Sequence, residues 1–292
     1  MQIYQRRRPE LGDCNIEMLV FQEMERAFQS VATQGDNFIV NDSLWYWKNP
    51  NGKIKPTVVN SAKFITSKFQ DALFKQGWEI EKELDGQRFD AYTTRSVKRK
   101  IYRCAESEFT DFLSAYEKAT ERSSGPKASE MYRAYFILGQ TGLDKIPSAV
   151  HKFFNLIDET VEIRMGLEFE TGNIASSFRA LHKLDKLYRA GLLDYGIFIT
   201  SYDKASSATR IWPVSNRNGS FEELDNRGGN EDLSIPLWEI GFAPDGFSTT
   251  AEYLGADGAT YQMLSTGRTI TIDGVTHEEY QDKAGKVVLR KV

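Results

Sequence analysis

Cysteine is scarce. Cys14 and Cys104 are the two among 292 residues, too few for a disulfide framework and without metal-ligand spacing, so a reducing compartment fits. The three histidines, His151, His182 and His277, are scattered and suggest neither a zinc site nor histidine-driven catalysis. No apolar run approaches the roughly 18 residues that span a bilayer, so no membrane association is expected. The opening MQIYQRRRPELGD is basic but has no apolar stretch behind it, and no secretory signal is expected. A GxSxG elbow and a phosphate-cradling glycine loop are both lacking, which weakens serine-hydrolase and nucleotidase readings and implies no nucleotide cofactor. There is no internal repeat and no low-complexity tract.

What is present is the balance of a soluble globular chain, 40% hydrophobic and 27% charged, long enough for one large domain with a small appendage. The net charge of -4 argues mildly against nucleic acid, whose binders usually carry a basic footprint. A site that gathers carboxylates to hold metal lowers the total, however, and local patches count for more. One such patch is Arg95, Lys98, Arg99, Lys100 and Arg103; another is Arg6 to Arg8. Each reads equally well as a solvated face.

Periodicity sketches the elements. Met18, Leu19, Phe21, Met24 and Phe28 suggest a helix within 16–32, and Phe64, Ile65, Phe69, Leu73 and Phe74 a second within 56–76. Asp85-Gly86, flanked by alternating residues, signals a hairpin. Its register would face 84 with 87 and 81 with 90, making Glu81 and Asp90 cross-strand neighbours with Cβ atoms roughly 5 Å apart. Residues 104–158 read as helical, broken at Ser123-Ser124-Gly125-Pro126, with Ile146, Val150, Phe153, Phe154 and Ile157 in helical rhythm. From Thr160 to Glu170 the period becomes two: Val161, Ile163, Met165, Leu167 and Phe169 alternate with polar residues and Gly166, as in a strand with one buried face. A helix over about 175–190 follows, with Gly191 as its cap, then short strands at 194–200 and 235–243. Strand, helix and strand in succession predict an α/β fold with a mixed central sheet. After Phe247, runs such as TYQML, RTITI and KVVLRKV predict a β-rich appendage.

Glu168 and Glu170 leave the same face of their strand, about 6.6 Å apart along the chain. Such a pair can simply be solvated. Two features point further. Gly172 and Asn173 end the strand and open a helix whose N-terminus favours phosphate. Glu81 and Asp90 supply a second carboxylate pair, and carboxylates drawn into one cluster repel by up to ~4 kcal/mol per close pair at intermediate dielectric. A hard divalent cation such as Mg²⁺ relieves that repulsion.

The segment MGLEFETGNIASSFRALHKLDKLYRAGLLDYGIFI, 165–199, resembles the BamHI family of type II restriction endonucleases, within the PD-(D/E)xK superfamily. The resemblance continues at FEEL, 221–224, and PLWEIGFAPD, 236–245, and returns upstream at WEIEKEL, 78–84. It covers roughly half the chain, is poor from 95 to 160 and ends near 247. The resemblance implies a restriction-endonuclease-like domain over residues 1–246, with a helical insertion at about 95–158, and an extension over 247–292. It implies Mg²⁺-dependent hydrolysis of duplex DNA at a short palindrome, leaving 5′-phosphate and 3′-hydroxyl ends, by a homodimer in a bacterial cytoplasm. Glu168 would ligate the metal, and Glu170, where glutamate replaces the usual lysine of the motif, would orient or deprotonate the attacking water. Glu81 matches a further active-site glutamate. The motif's aspartate is Asp90, with Asp158 as the alternative.

By the same resemblance Asn173 and Arg179 contact DNA, although Asn173 also reads as a helix N-cap and Arg179 as a surface arginine. Asn216 and Arg217 fall where the family carries an Asp-Arg pair that reads outer base pairs, and Arg217 suits guanine O6 and N7. Asn216 in place of aspartate, and Ala175 in place of serine, keep the recognition sequence itself open. Two other readings stand beside this one: a catalytically silent DNA-binding protein on the same fold, and a metal-free interaction domain whose carboxylates are surface decoration.

Overall fold

The computed structural model describes residues 1–7, 14–121, 142–144, 146–171, 174–202, 221–227 and 233–292. The expected break at 123–126 lies outside them. The chain divides into two compact units, one of residues 1–9, 18–93 and 164–292, the other of residues 10–17 and 94–163.

In the first unit a mixed sheet is built from β1 (Gln2–Arg7), β4 (Glu79–Ile80), β7 (Tyr195–Ser201) and β8 (Leu237–Ala243) with the near ends of β5 (Ala91–Cys104) and β6 (Phe154–Glu170). The order is β1-β8-β7-β6-β5-β4. β6, β7 and β8 are parallel, and β1 and β4 run antiparallel to their neighbours β8 and β5. Helix α4 (Ile174–Arg189) links β6 to β7, the crossover that parallel strands require. Its last turn closes on Gly191, whose φ of +68° is the left-handed cap that glycine adopts without strain.

Strand parity decides what each face meets. Ile163, Met165, Leu167 and Phe169 are buried, as predicted, while Val161, placed in the same series, is half-buried. Phe169 packs with Phe242 of β8 and with Phe28 and Phe69 of α1 (Cys14–Gln29) and α2 (Ala62–Lys75), centroids 4.9 to 6.5 Å apart. The opposite face is not solvated. Phe198, Leu181, Leu184, Leu187, Leu193 and Phe89 form a second core there. At Gly166 an added Cβ would lie 2.9 Å from the Phe89 ring and 3.0 Å from Leu193, so the smallest residue lets that layer close down.

The buried stripe of α1 is Ile16, Val20, Met24, Ala27 and Phe28, rotated from the predicted one, with Met18 and Leu19 exposed. In α2 Phe64, Ile65, Phe69 and Leu73 are buried and Phe74 is exposed, while Ser61 caps the start through Lys63 N–H.

The same unit carries an antiparallel sheet in which β9 (Leu264–Ile272), β10 (Val275–Gln281) and β11 (Val287–Lys291) join β2 (Trp45–Lys48) and β3 (Ile54–Thr57). The C-terminal strands are thus sheet partners of residues 45–57, around a core of Trp45, Tyr253 and Val288.

The second unit corrects the helical reading of 104–158. Helix α3 (Phe109–Thr120) is present, but a 3-10 turn covers Ser148–Phe153 and β6 begins already at Phe154. Val150 and Phe154 are buried with Phe112, Tyr116, Cys104 and Ile146, whereas Ile157 lies exposed. Turn and strand in series imitate a helical spacing. β5, too, stays extended to Cys104, its basic residues obscuring the alternation. Among the described residues no helix is long and apolar enough to cross a membrane.

Candidate functional site

Three elements of the first unit converge at the carboxyl end of β6, where open α/β sheets place ligand sites. The first is the hairpin. Its two-residue turn has positive φ at both Asp85 (+48°) and Gly86 (+67°), the conformation that matches strand twist. Leu84 pairs with Gln87 and Glu83 with Arg88, and Glu81 N–H donates to the Asp90 carbonyl at 3.2 Å, so the predicted register is found.

The two carboxylates nevertheless part company. Glu81 is itself left-handed (φ +54°), which breaks the strand alternation, and its exposed carboxylate pairs with Arg88. Asp90 turns inward, where Oδ2 accepts the Phe169 N–H at 2.7 Å. Its carboxyl is raised above the usual aspartate range, chiefly by burial.

The second element is β6. Glu168 is buried at 4% exposure, and Glu170 is half-buried two residues on. Burial and then the Asp90 charge push Glu168 up to about 8, while Lys183 pulls it down and Glu170 adds to the rise. A buried glutamate whose ionised form is disfavoured by a half-buried aspartate calls for positive charge.

The third element is α4. Lys183 meets Glu168 Oε1 at 2.5 Å and donates to the Arg88 carbonyl at 2.5 Å. Arg179, His182 and Lys186 stand exposed around it, at i, i+3 and i+7 along one helix edge. With Gln87 they border a cavity of about 510 Å³ that opens on Glu168 and Glu170. The cavity is acidic at its base and cationic along one wall, an arrangement suited to an ion and a polyanion together.

The sequence-predicted residues therefore separate. Glu168, Glu170 and Arg179 line one cavity, with Asp90 held beside Glu168 through the Phe169 N–H, and Arg179 also donates to Ser176 Oγ at 3.1 Å. Glu81 lies outside, paired with Arg88. Asp158 belongs to the second unit, in a cavity of about 460 Å³ with Lys98, Lys100, Glu159 and Thr160. Arg103 there holds Glu159 through two contacts of 2.6 Å. Asn173, Asn216, Arg217 and Arg8 lie outside the described residues, as do the side chains of Arg6, Arg7 and Arg99. Lys183 escaped the sequence reading. Its only signal is a place on the Arg179–Lys186 edge.

Among the described residues no three acidic, histidine or cysteine side chains close on one point as metal ligands. The fit of a divalent ion rests on the carboxylates of buried Glu168 and half-buried Asp90 as hard oxygen donors, against which Lys183 now supplies the charge. No curated protein matches the chain. The family model for restriction endonuclease BamHI matches residues 15–258, most of its length, and the chain belongs to the BamHI restriction endonuclease family.

Proposed function

We propose that this protein is a type II restriction endonuclease that hydrolyses phosphodiester bonds of duplex DNA at a short palindrome, with Mg²⁺ as cofactor and 5′-phosphate ends as product. The observation that supports it most is Glu168, buried at the carboxyl end of β6, with Asp90 of the hairpin held beside it through the Phe169 N–H and the cationic edge of α4 facing them. Asp90 and Glu168 would hold the ion, with backbone and water completing its shell. When bound, the ion supplies Lewis-acid charge for phosphoryl transfer. Glu170, half-buried at the cavity mouth, orients the attacking water and accepts its proton. Glu81 assists from the hairpin, its link to Arg88 tying it to the arm that carries Asp90. Arg179 contacts DNA on the cavity wall, while Asn173, Asn216 and Arg217 supply base contacts. A palindromic target calls for a twofold enzyme, so the working form is a homodimer, acting in a bacterial cytoplasm. Residues 1–246 carry recognition and cleavage, and 247–292 form an extension.

One observation favours a second reading: the Lys183 ammonium already occupies Glu168 Oε1, as a catalytically silent DNA binder would permit. Incubation with phage DNA and Mg²⁺ separates the two. Discrete, sequence-defined fragments support the nuclease; binding without fragments supports the silent protein.

A further inference from the structure

Lys183 has no role in the reading above, and its setting differs from that of its helical neighbours. Lys186, one turn on, extends into water. The Lys183 side chain is only 18% exposed, with its ammonium held by three partners from two elements. Glu168 Oε1 on β6 lies at 2.5 Å, the Arg88 carbonyl at 2.5 Å, and the Phe89 ring centroid at 5.2 Å. Arg88 and Phe89 are the two residues that lead into Asp90. A single ammonium therefore bridges the strand that carries buried Glu168 and the hairpin arm that carries Asp90. Confining a lysine stem costs rotamer freedom, so such a placement needs compensation from what it holds. A compact ammonium suits it, as a point charge that both a carboxylate and a carbonyl accept.

We propose that Lys183 is a positioning residue of the cleavage site: it stands in for the divalent ion on Glu168 and tethers the Asp90 hairpin to α4 through the Arg88 carbonyl. The proposal rests on the nuclease reading for its effect on cleavage, but not for its effect on ion binding. An ion held by Asp90 and Glu168 would compete with the ammonium for the charge of the Glu168 carboxylate, on whichever of its two oxygens it binds. The carbonyl tether survives that exchange, and with it the alignment of the hairpin against β6. Removing the ammonium then has effects of opposite sign. The ion loses a competitor and binds more tightly, while cleavage slows because Asp90 is no longer held in register. A lysine that merely stabilised the fold would weaken both together.

The test uses Lys183→Met, Lys183→Gln and Lys183→Arg in the full chain. Ca²⁺ binding is measured by calorimetry without DNA at pH 9, and cleavage of plasmid DNA is measured at saturating Mg²⁺, with melting temperature as the check on folding. Expected is Ca²⁺ binding tighter by about 3- to 10-fold in the Met and Gln variants, since a nearby unit charge is removed. Their kcat falls about 10- to 100-fold with KM within about 3-fold, and Lys183→Arg recovers part of the kcat. Ca²⁺ affinity that falls or stays unchanged in a folded variant overturns the proposal, as does full-rate cleavage by Lys183→Met. If the Met variant fails to fold, the Gln variant decides by the same readings. Should the parent protein cut no DNA, the nuclease reading fails, and the Ca²⁺ titration alone still upholds or overturns the stand-in role.

Discussion

Glu168 concentrates the electrostatics of the proposed site in one side chain. It is buried, faces Asp90, and keeps its proton up to about pH 8 instead of losing it near 4.5. The sign follows from linkage. The unfolded chain releases this proton first, so between pH 4.5 and 8 the ion-free folded state binds more protons, and its stability falls as pH rises. Glu168→Gln should remove that slope and raise ion-free stability at pH 8 by roughly 2–5 kcal/mol, read from urea unfolding at several pH values. A variant with the same slope as the parent contradicts the burial account. In the presence of DNA and Mg²⁺, Glu168→Ala should lose cleavage by at least about 1000-fold while binding DNA as well as the parent or better, because a negative charge near phosphate is gone. Gel-shift and cleavage assays on one preparation check both halves.

At the level of elements, the hairpin and β6 bear the account. The Asp85-Gly86 turn and its register were legible because few sequences support φ > 0 at two successive residues. The side-chain outcome was not legible: the left-handed Glu81 follows from how the hairpin joins β4, which no local rule contains. Alternation likewise revealed Met165, Leu167 and Phe169, but not that Glu168 is buried too, because only α4 folding back over that face covers it. Glu168 and Glu170 were accessible to sequence reasoning as a pair on a strand. Lys183 was not, since on a helix wheel it differs little from Lys186. The aromatic layer around Phe169 sets the height of this strand. Phe69→Ala should cost about 3–5 kcal/mol in chemical unfolding, as expected for a fully buried ring with aromatic neighbours at 4.9 Å. A cost under about 1 kcal/mol would mean that the layer repacks and does not support the site.

For the whole molecule, a net charge of -4 and an appetite for DNA are reconciled by where the cations stand. Arg179, Lys183 and Lys186 share one edge of α4 beside the acids, so the field at the cavity differs from the field of the chain as a whole. Arg179→Ala should weaken DNA binding and lower the slope of log affinity against log salt by about 1, whereas Lys286→Ala, beside Trp47 in the C-terminal sheet, should leave the slope unchanged. Equal slopes in both variants would remove α4 from the DNA interface. The most direct measurement of the central claim is anomalous diffraction from crystals grown with Mn²⁺ and DNA. The account predicts a peak beside the carboxylates of Asp90 and Glu168. Absence of density there, or a peak beside Asp158, Lys98 and Lys100 instead, would contradict it.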